Sequence, residues 1–350
     1  MQLVRTHHRR HVAAAAALVA GALVLTACST SGSSPSAGGG PVSTASPAPP
    51  TCPLTGLPEG QGEQAKRAAL AVKIDNIGPA RPQAGINNAD VVVEELVEGG
   101  LTRLMAIFQC QRASLVGPIR SARISDADLL ALLHGSVLGY SGANPKDMPP
   151  IRAHSGAALV SYDNDPSNFH LDGSRPAPHN VFSSTSILLK AGRQQKPNLQ
   201  APPALFSYGP IDPLAKPVAH ITLQWPDSAA RWVWSSGAWL RSQGEHTYSM
   251  TSDTLTDGQQ INATNVVVLS VNIQSTGLHD VLGNASPLDV TTGSNPAWVL
   301  RGGTMVRGTW TRKTRADEFT LTDKQDHPIA LAPGRTWIEL LPAGHKPARH

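Results

Sequence analysis

The residue types best suited to chemistry cluster in one heptapeptide, Gly117-Pro118-Ile119-Arg120-Ser121-Ala122-Arg123. It places two guanidinium groups and a hydroxyl between an apolar, strand-like run and an amphipathic, helix-like run. Guanidinium groups grip phosphate or carboxylate through paired hydrogen bonds. Asp75, Asn76, Arg81, Glu98, Arg103, His179 and Asn180 lie beside other apolar runs or in turns. A charge buried in such a place needs a partner. Strand ends and turns can gather these residues with Arg120, Ser121 and Arg123 into a cleft. Such a cleft suits an anionic envelope ligand, for example a phosphorylated glycan or a peptide carboxylate, or a segment of a protein partner. The competing expectation is an internal arginine–carboxylate network that only fixes the fold. Ser121, His179 and Asp75 also supply the residue types of a hydrolase triad. Arg-Ser-Ala lacks the glycine-flanked elbow of an α/β-hydrolase, however. An envelope hydrolase or transferase is therefore the alternative, and binding or scaffolding the first expectation. Asp75, Glu98, Asp126 and His179 match no metal-ligand spacing, and no phosphate loop or dinucleotide fingerprint occurs. No metal or cofactor is expected.

The elements that must position these residues are short. Residues 69–74, 90–97 and 102–108 read as neighbouring strands. Ser125-Asp126 caps a helix with leucines at 129, 130, 132 and 133. Residues 136–141 read as a further strand, Pro149-Pro150 as a helix start, and 161–180 as irregular. Ser183-Ser184 opens a short helix to about residue 191. Pro202-Pro203 marks a linker. Beyond it, apolar runs at 219–225, 231–234, 266–271, 298–301, 304–311, 318–321 and 337–341 alternate with glycine and proline turns, and none reads as a helix. All seven tryptophans fall in this second half. They serve either as core or as a sugar-stacking face. The expected fold class is α+β: a mixed α/β N-terminal domain, 52–200, then a smaller β-rich C-terminal domain, 201–342, sandwich-like or barrel-like. Residues 343–350 form a basic, frayed tail.

The 350-residue chain opens with an export signal. Arg5, Arg9 and Arg10 precede an apolar run at 12–24 that is too short for a stable span. The run ends in Leu25-Thr26-Ala27-Cys28. This pattern resembles a bacterial lipobox, with Cys28 as the first mature residue and carrier of lipid such as palmitate. An ordinary secretory signal is the alternative. Arg9-Arg10 leaves the choice between the general and the twin-arginine export route open. Residues 29–51 are nearly all serine, glycine, proline, alanine and threonine, too polar to order themselves, and read as a spacer. The chain is thus expected at the extracytoplasmic face of the cell membrane, held by lipid. The formal charge of +4 includes the three arginines of the signal. Without them acids and bases nearly balance, so nucleic acid is not an expected partner. With Cys28 lipidated, Cys52 and Cys110 remain for a disulfide in an oxidising compartment; two separate buried thiols are the alternative.

Several motifs occur together in a fixed order. Lys73-Ile74-Asp75-Asn76, Ala80-Arg81-Pro82-Gln83, Ala89-Asp90 and Val97-Glu98-Gly99-Gly100-Leu101-Thr102-Arg103 come first. The arginine heptapeptide and Ala177-Pro178-His179-Asn180 follow. Asn265-Val266-Val267-Val268, Gly308-Thr309-Trp310 and Pro333-Gly334-Arg335-Thr336-Trp337-Ile338 complete the set. As a set it resembles the YerB-like family of bacterial lipoproteins and spans nearly all of residues 52–342. The departure is His154-Ser155-Gly156, where a more glycine-rich stretch is expected. The resemblance implies an envelope lipoprotein with two domains of unassigned function. It implies no reaction.

Overall fold

The computed structural model describes residues 50–60, 63–245 and 250–349. Cys28, the signal and most of the spacer lie outside the described residues. Three apolar segments near the start, β1 (Ala69–Asp75), β2 (Val91–Leu96) and β3 (Thr102–Phe108), are buried at every position. Such strands must be covered on both faces. They form the middle of a twelve-stranded sheet. β4 (Ser136–Tyr140) and β5 (Ala158–Ser161) extend it beyond β1, both parallel to it. Helices α1 (Asp126–Ala131), α2 (Met148–His154) and α3 (Thr185–Gln195) all fall in this part of the chain. α2 makes the crossover between β4 and β5 that a parallel pair requires.

The second half is almost entirely strand. β6 (His220–Gln224), β7 (Ser228–Ser235) and β8 (Ala238–Glu245) form an antiparallel meander, the centre of a separate six-stranded sheet. β9 (Asn265–His279), β10 (Ala285–Val290), β11 (Gly293–Arg301), β12 (Thr304–Arg312), β13 (Thr320–Thr322) and β14 (Thr336–Pro342) belong to the large sheet. Its order is β13-β12-β11-β9-β14-β2-β3-β1-β4-β5, and β10 pairs with β9. β14 runs parallel to both β9 and β2, so one continuous sheet contains strands from both halves of the chain.

Alternation along each strand divides the core. Leu70, Val72, Ile74, Val92, Leu104 and Trp337 face the six-stranded sheet and meet Ile221, Trp225, Trp232 and Trp239. Ala69, Ala71, Val91, Val93, Met105 and Ile338 face the other way, onto Leu129, Leu130 and Leu133 of the α1 region and Ile151 of α2. The protein is thus sheet-rich with few helices.

Three expectations are corrected here, on the Ser125 cap, the C-terminal tail and the end of α3. Ser125 makes no capping bond. Its Oγ accepts from the Asp289 N–H at 3.1 Å instead, whereas Ser184 does cap α3 through the Ile187 N–H. Of the two roles open to the tryptophans, core packing is the one adopted and needs no correction: six of the seven, Trp225, Trp232, Trp239, Trp298, Trp310 and Trp337, are buried. The expected frayed tail instead pairs Ala348–Arg349 with β6. α3 runs four residues past the expected end. The Cys52–Cys110 disulfide is present and ties the start of the folded region to the residues just after β3.

Candidate functional site

The carboxyl ends of β1, β4 and β5 point the same way, and the arginine heptapeptide is threaded across the first two. The Asp75 N–H donates to Pro118 O at 2.9 Å and the Arg120 N–H to Lys73 O at 2.9 Å. On its other side, the Ile119 N–H donates to Val181 O and the Ala122 N–H to Gly142 O. These bonds hold Arg120 and Arg123 beside the end of β1. Gly117 is required where the segment turns in: a Cβ there would lie 2.6 Å from Phe182 Cδ1 and 2.9 Å from Val181 O. Arg175 pins the loop that carries His179, donating to Ala80 O at 3.0 Å and Pro82 O at 2.7 Å.

A cavity of about 830 Å³ opens at this point, and Asp75, Glu98, Arg103, Arg120, Ser121, Arg123 and Asn180 line it. His179 joins the group through Nδ1, 2.8 Å from Asp75 Oδ2. The same oxygen accepts from Arg120 Nε at 2.9 Å. Burial pushes the Asp75 carboxyl up, but the His179 bond and the charges of Arg120 and Arg103 outweigh it and hold it below the ordinary aspartate value. Arg123 forks onto Glu98, Nε to Oε1 at 2.6 Å and Nη2 to Oε2 at 2.8 Å. Ser286 Oγ adds a third bond to Glu98 at 2.7 Å, and together these hold that carboxyl below its usual value despite burial.

Arg103 differs from its neighbours. It is 8% exposed, and its cross-strand neighbours are Asp75 and Glu95. Both carboxylates are engaged elsewhere, Asp75 with Arg120 and His179, Glu95 with Lys73. The one hydrogen bond from the Arg103 guanidinium runs from Nη1 to Ser121 O at 3.4 Å, and no carboxylate comes within ion-pair distance among the described residues. Burial and the charge of Arg123 push its guanidinium down to about 10, so it stays charged near neutral pH. Asp75 with Arg120 and Glu98 with Arg123 are paired directly, whereas Arg103 makes no ion pair of its own among the described residues and meets the neighbouring carboxylates only through their charge.

Two of the sequence-predicted residues lie elsewhere. Asn76 points to the opposite face of the sheet, where its Nδ2 donates to Glu94 Oε1 and Thr102 Oγ1. It belongs to a buried network in which Arg241 bonds Glu94, Asp253 and Gln243. Arg81 pairs with Glu245 of β8 and locks the two sheets together. Asn76 departs because successive side chains along an extended chain point to opposite faces, and Arg81 because the turn at Gly78–Ala80 carries it away from the end of β1.

The cavity also holds residues that sequence reasoning missed. Ser141, Asn144, Tyr162 and Asp163 come from the ends of β4 and β5, and Asp280, Val281, Leu282 and Asn284 from the tip of the β9–β10 hairpin. The local signal for the tip was an apolar pair, Val281-Leu282, inside a polar turn; nothing local connects it with residue 103. Behind the floor, Lys73 bridges Glu95 and Asp126 with no exposure of any of the three side chains. One ammonium serves two carboxylates there, and burial together with the Asp126 charge pushes Glu95 up to about 7.

The arrangement can bind an oxyanion at Arg103 and Arg120. It can also hold His179 as a base oriented by Asp75, but among the described residues Ser121 Oγ makes no hydrogen bond to the imidazole. A second cavity of about 840 Å³ is lined by His134, His154, Lys196 and Arg315, among others. It lacks buried ionised groups and contains none of the sequence-predicted residues, so the arginine-floored cavity is the candidate site.

Comparisons with known proteins agree with this architecture. Residues 54–198 match the family described as "Protein of unknown function (DUF3048) N-terminal domain", and residues 221–338 match its C-terminal domain. A Bacillus subtilis (strain 168) protein named as a lipoprotein, YerB, is 28% identical over 301 residues, 83% of this chain and 86% of that one. The crystal structure of YerB from Bacillus subtilis superposes with a TM-score of 0.70 at 23% identity, covering 83% of this chain and 96% of that chain. At that identity the likeness establishes the fold alone.

Proposed function

We propose, for a chain that belongs to the YerB-like family, a lipid-anchored cell-envelope protein whose arginine-floored cavity binds an anionic ligand. The observation that carries this is Arg103, a charged, buried guanidinium facing the cavity without a carboxylate of its own. Elsewhere in the chain the buried Arg312 is saturated by five bonds to backbone and side-chain oxygens, whereas Arg103 has a single long one, and a buried charge so poorly compensated is costly. The lipoprotein name of the Bacillus relative and the lipobox-like Leu25-Thr26-Ala27-Cys28 support the anchor.

Titration of the purified full chain with inorganic phosphate, followed by calorimetry, tests the cavity. Arg103→Gln is expected to weaken binding about tenfold or more, the scale of a lost charge-assisted pair. Ser121→Ala and His179→Ala are expected to leave it unchanged. Phosphate binding that is indifferent to Arg103 would return the cluster to architecture.

The Asp75–His179 hydrogen bond favours a second reading, an envelope hydrolase or transferase with Ser121 as nucleophile. Turnover of envelope glycan or peptide that Ser121→Ala and His179→Ala both eliminate would establish it in place of the first.

A further inference from the structure

The three most exposed large apolar side chains among the described residues all border the cavity that contains Arg103. Val281 is 101% exposed, Leu282 83% and Leu171 53%. Apolar side chains scattered singly over a surface need no explanation, but a group of them at one mouth marks a place where something binds. They come from two distant elements. Leu171 lies in a short strand paired with Val181, and Val281 and Leu282 form the tip of the β9–β10 hairpin. The tip is built rather than loose. Asp280 Oδ1 accepts from the Leu282 N–H at 2.9 Å and the Asn284 N–H at 2.8 Å, and Oδ2 accepts from Asn284 Nδ2 at 3.0 Å. This turn holds both apolar side chains outward. Ile77, Val97, Leu101 and Val181 continue the apolar surface down the wall toward the arginines. The lining also includes two further acids; Asp163 is exposed, and Asp280 is engaged in its own turn while feeling the charge of Arg123.

We infer that the occupant of this cavity is an amphiphile, a compact oxyanion joined to an apolar body. The head lies on Arg103 and Arg120, and the body runs out along the wall to Leu171, Val281 and Leu282. This inference rests on the anion-binding reading above and names its ligand class. The space is that of a small-molecule site, mostly apolar with a few convergent polar groups. A flat membrane surface or a protein face cannot reach an arginine that is 8% exposed, whereas a single molecule entering the cavity can. Each methylene moved from water onto apolar surface adds binding free energy, so the apolar body should dominate affinity while the head sets orientation.

Calorimetry on the full chain carrying Cys28→Ser, so that no acyl group on that thiol competes, tests this with three probes: octyl phosphate, inorganic phosphate and octyl glucoside, each as monomers. Octyl phosphate is expected to bind about tenfold or more tighter than inorganic phosphate, and octyl glucoside not to bind. Arg103→Gln should remove both phosphates. Val281→Ser with Leu282→Ser, at positions that carry no packing, should leave inorganic phosphate unchanged and bring octyl phosphate down to its level. Equal affinity for the two phosphates in the Cys28→Ser chain would overturn the amphiphile and leave anion binding standing. An octyl preference that survives the double serine variant would overturn the assigned wall. Failure of both phosphates to bind would overturn the inference together with the reading it rests on.

Discussion

Asp75 accepts from Arg120 and from His179 through one oxygen, Oδ2, so its ionised form is favoured by two donors at once. Its carboxyl is held below the ordinary aspartate value in the folded protein. The unfolded chain therefore binds a proton at higher pH than the folded one. The stability this confers is fully present above the ordinary aspartate value and is lost as pH falls through the lower, folded value. Asp75→Asn is expected to cost about 1–3 kcal/mol near neutral pH, since Arg120 loses its acceptor. Urea unfolding across a pH series should show the gap between the native chain and the variant closing below about pH 4. A gap that stays constant down to acid would mean that Asp75 is not the anchor of Arg120 and His179. The same arithmetic explains why Arg103 and not Arg120 is the chemically interesting residue. Arg120 has a carboxylate at 2.9 Å, whereas Arg103 has only a carbonyl at 3.4 Å.

At the scale of elements, close approach decides which residues are tolerated. α3 lies on the face of β4 with Gly192 at the contact. A Cβ at residue 192 would lie 2.3 Å from Val137 Cγ2 and 2.5 Å from Cγ1. Alanine in place of glycine ordinarily stabilises a helix by about 1 kcal/mol. Here the overpacking should win, and Gly192→Ala is expected to destabilise by about 1–3 kcal/mol in chemical denaturation. A stabilised variant would show that α3 can slide away from the sheet. The β9–β10 hairpin illustrates the opposite case. Residues 265–271 of β9 are buried in the large sheet, and from residue 272 onward most positions are partly or fully exposed. There the strand pairs only with β10, and the arm reaches the cavity mouth. One strand therefore serves as core in its first half and as a wall of the site in its second.

Across the whole molecule, two long-range ties shape the site. The Cys52–Cys110 disulfide joins residues 58 apart in sequence. Its removal frees a loop of that length in the unfolded chain, and Cys52→Ser with Cys110→Ser is expected to lower stability by about 4 kcal/mol, measured by urea unfolding under oxidising conditions. An undiminished midpoint would place the loop among residual structure of the unfolded state. The second tie is β14, which lies between β9 and β2 and makes the last strand of the chain part of the sheet that carries Asp75 and Arg103. Through β9 the same sheet brings residues 280–284 to residue 103.

Much of this was legible locally. β1, β2 and β3 are mostly apolar runs broken by a few charged residues, leucines cluster in and just after α1, and proline and glycine punctuate the second half. The motif set fixed the family. Other parts were hidden for a physical reason. β8 did not read as a strand because two of its inward positions are Arg241 and Gln243, polar residues whose partners come from other elements: Glu94 and Asp253 for Arg241, and the Asn76 carbonyl for Gln243. Asn76 and Arg81 follow Asp75 closely in sequence and still left the site, since alternation and a turn sent them to the other sheet. By itself the sequence determined the short-range features: strand, helix and turn types, the candidate disulfide pair, and the charged residues that would need partners. Only the tertiary structure decided how those partners were allotted. Pairing depends on which side chains several strands bring to one face, and no local interaction encodes that choice. It matched Asp75 with Arg120 and Glu98 with Arg123, left Arg103 over, and set an apolar hairpin tip from the far half of the chain beside it.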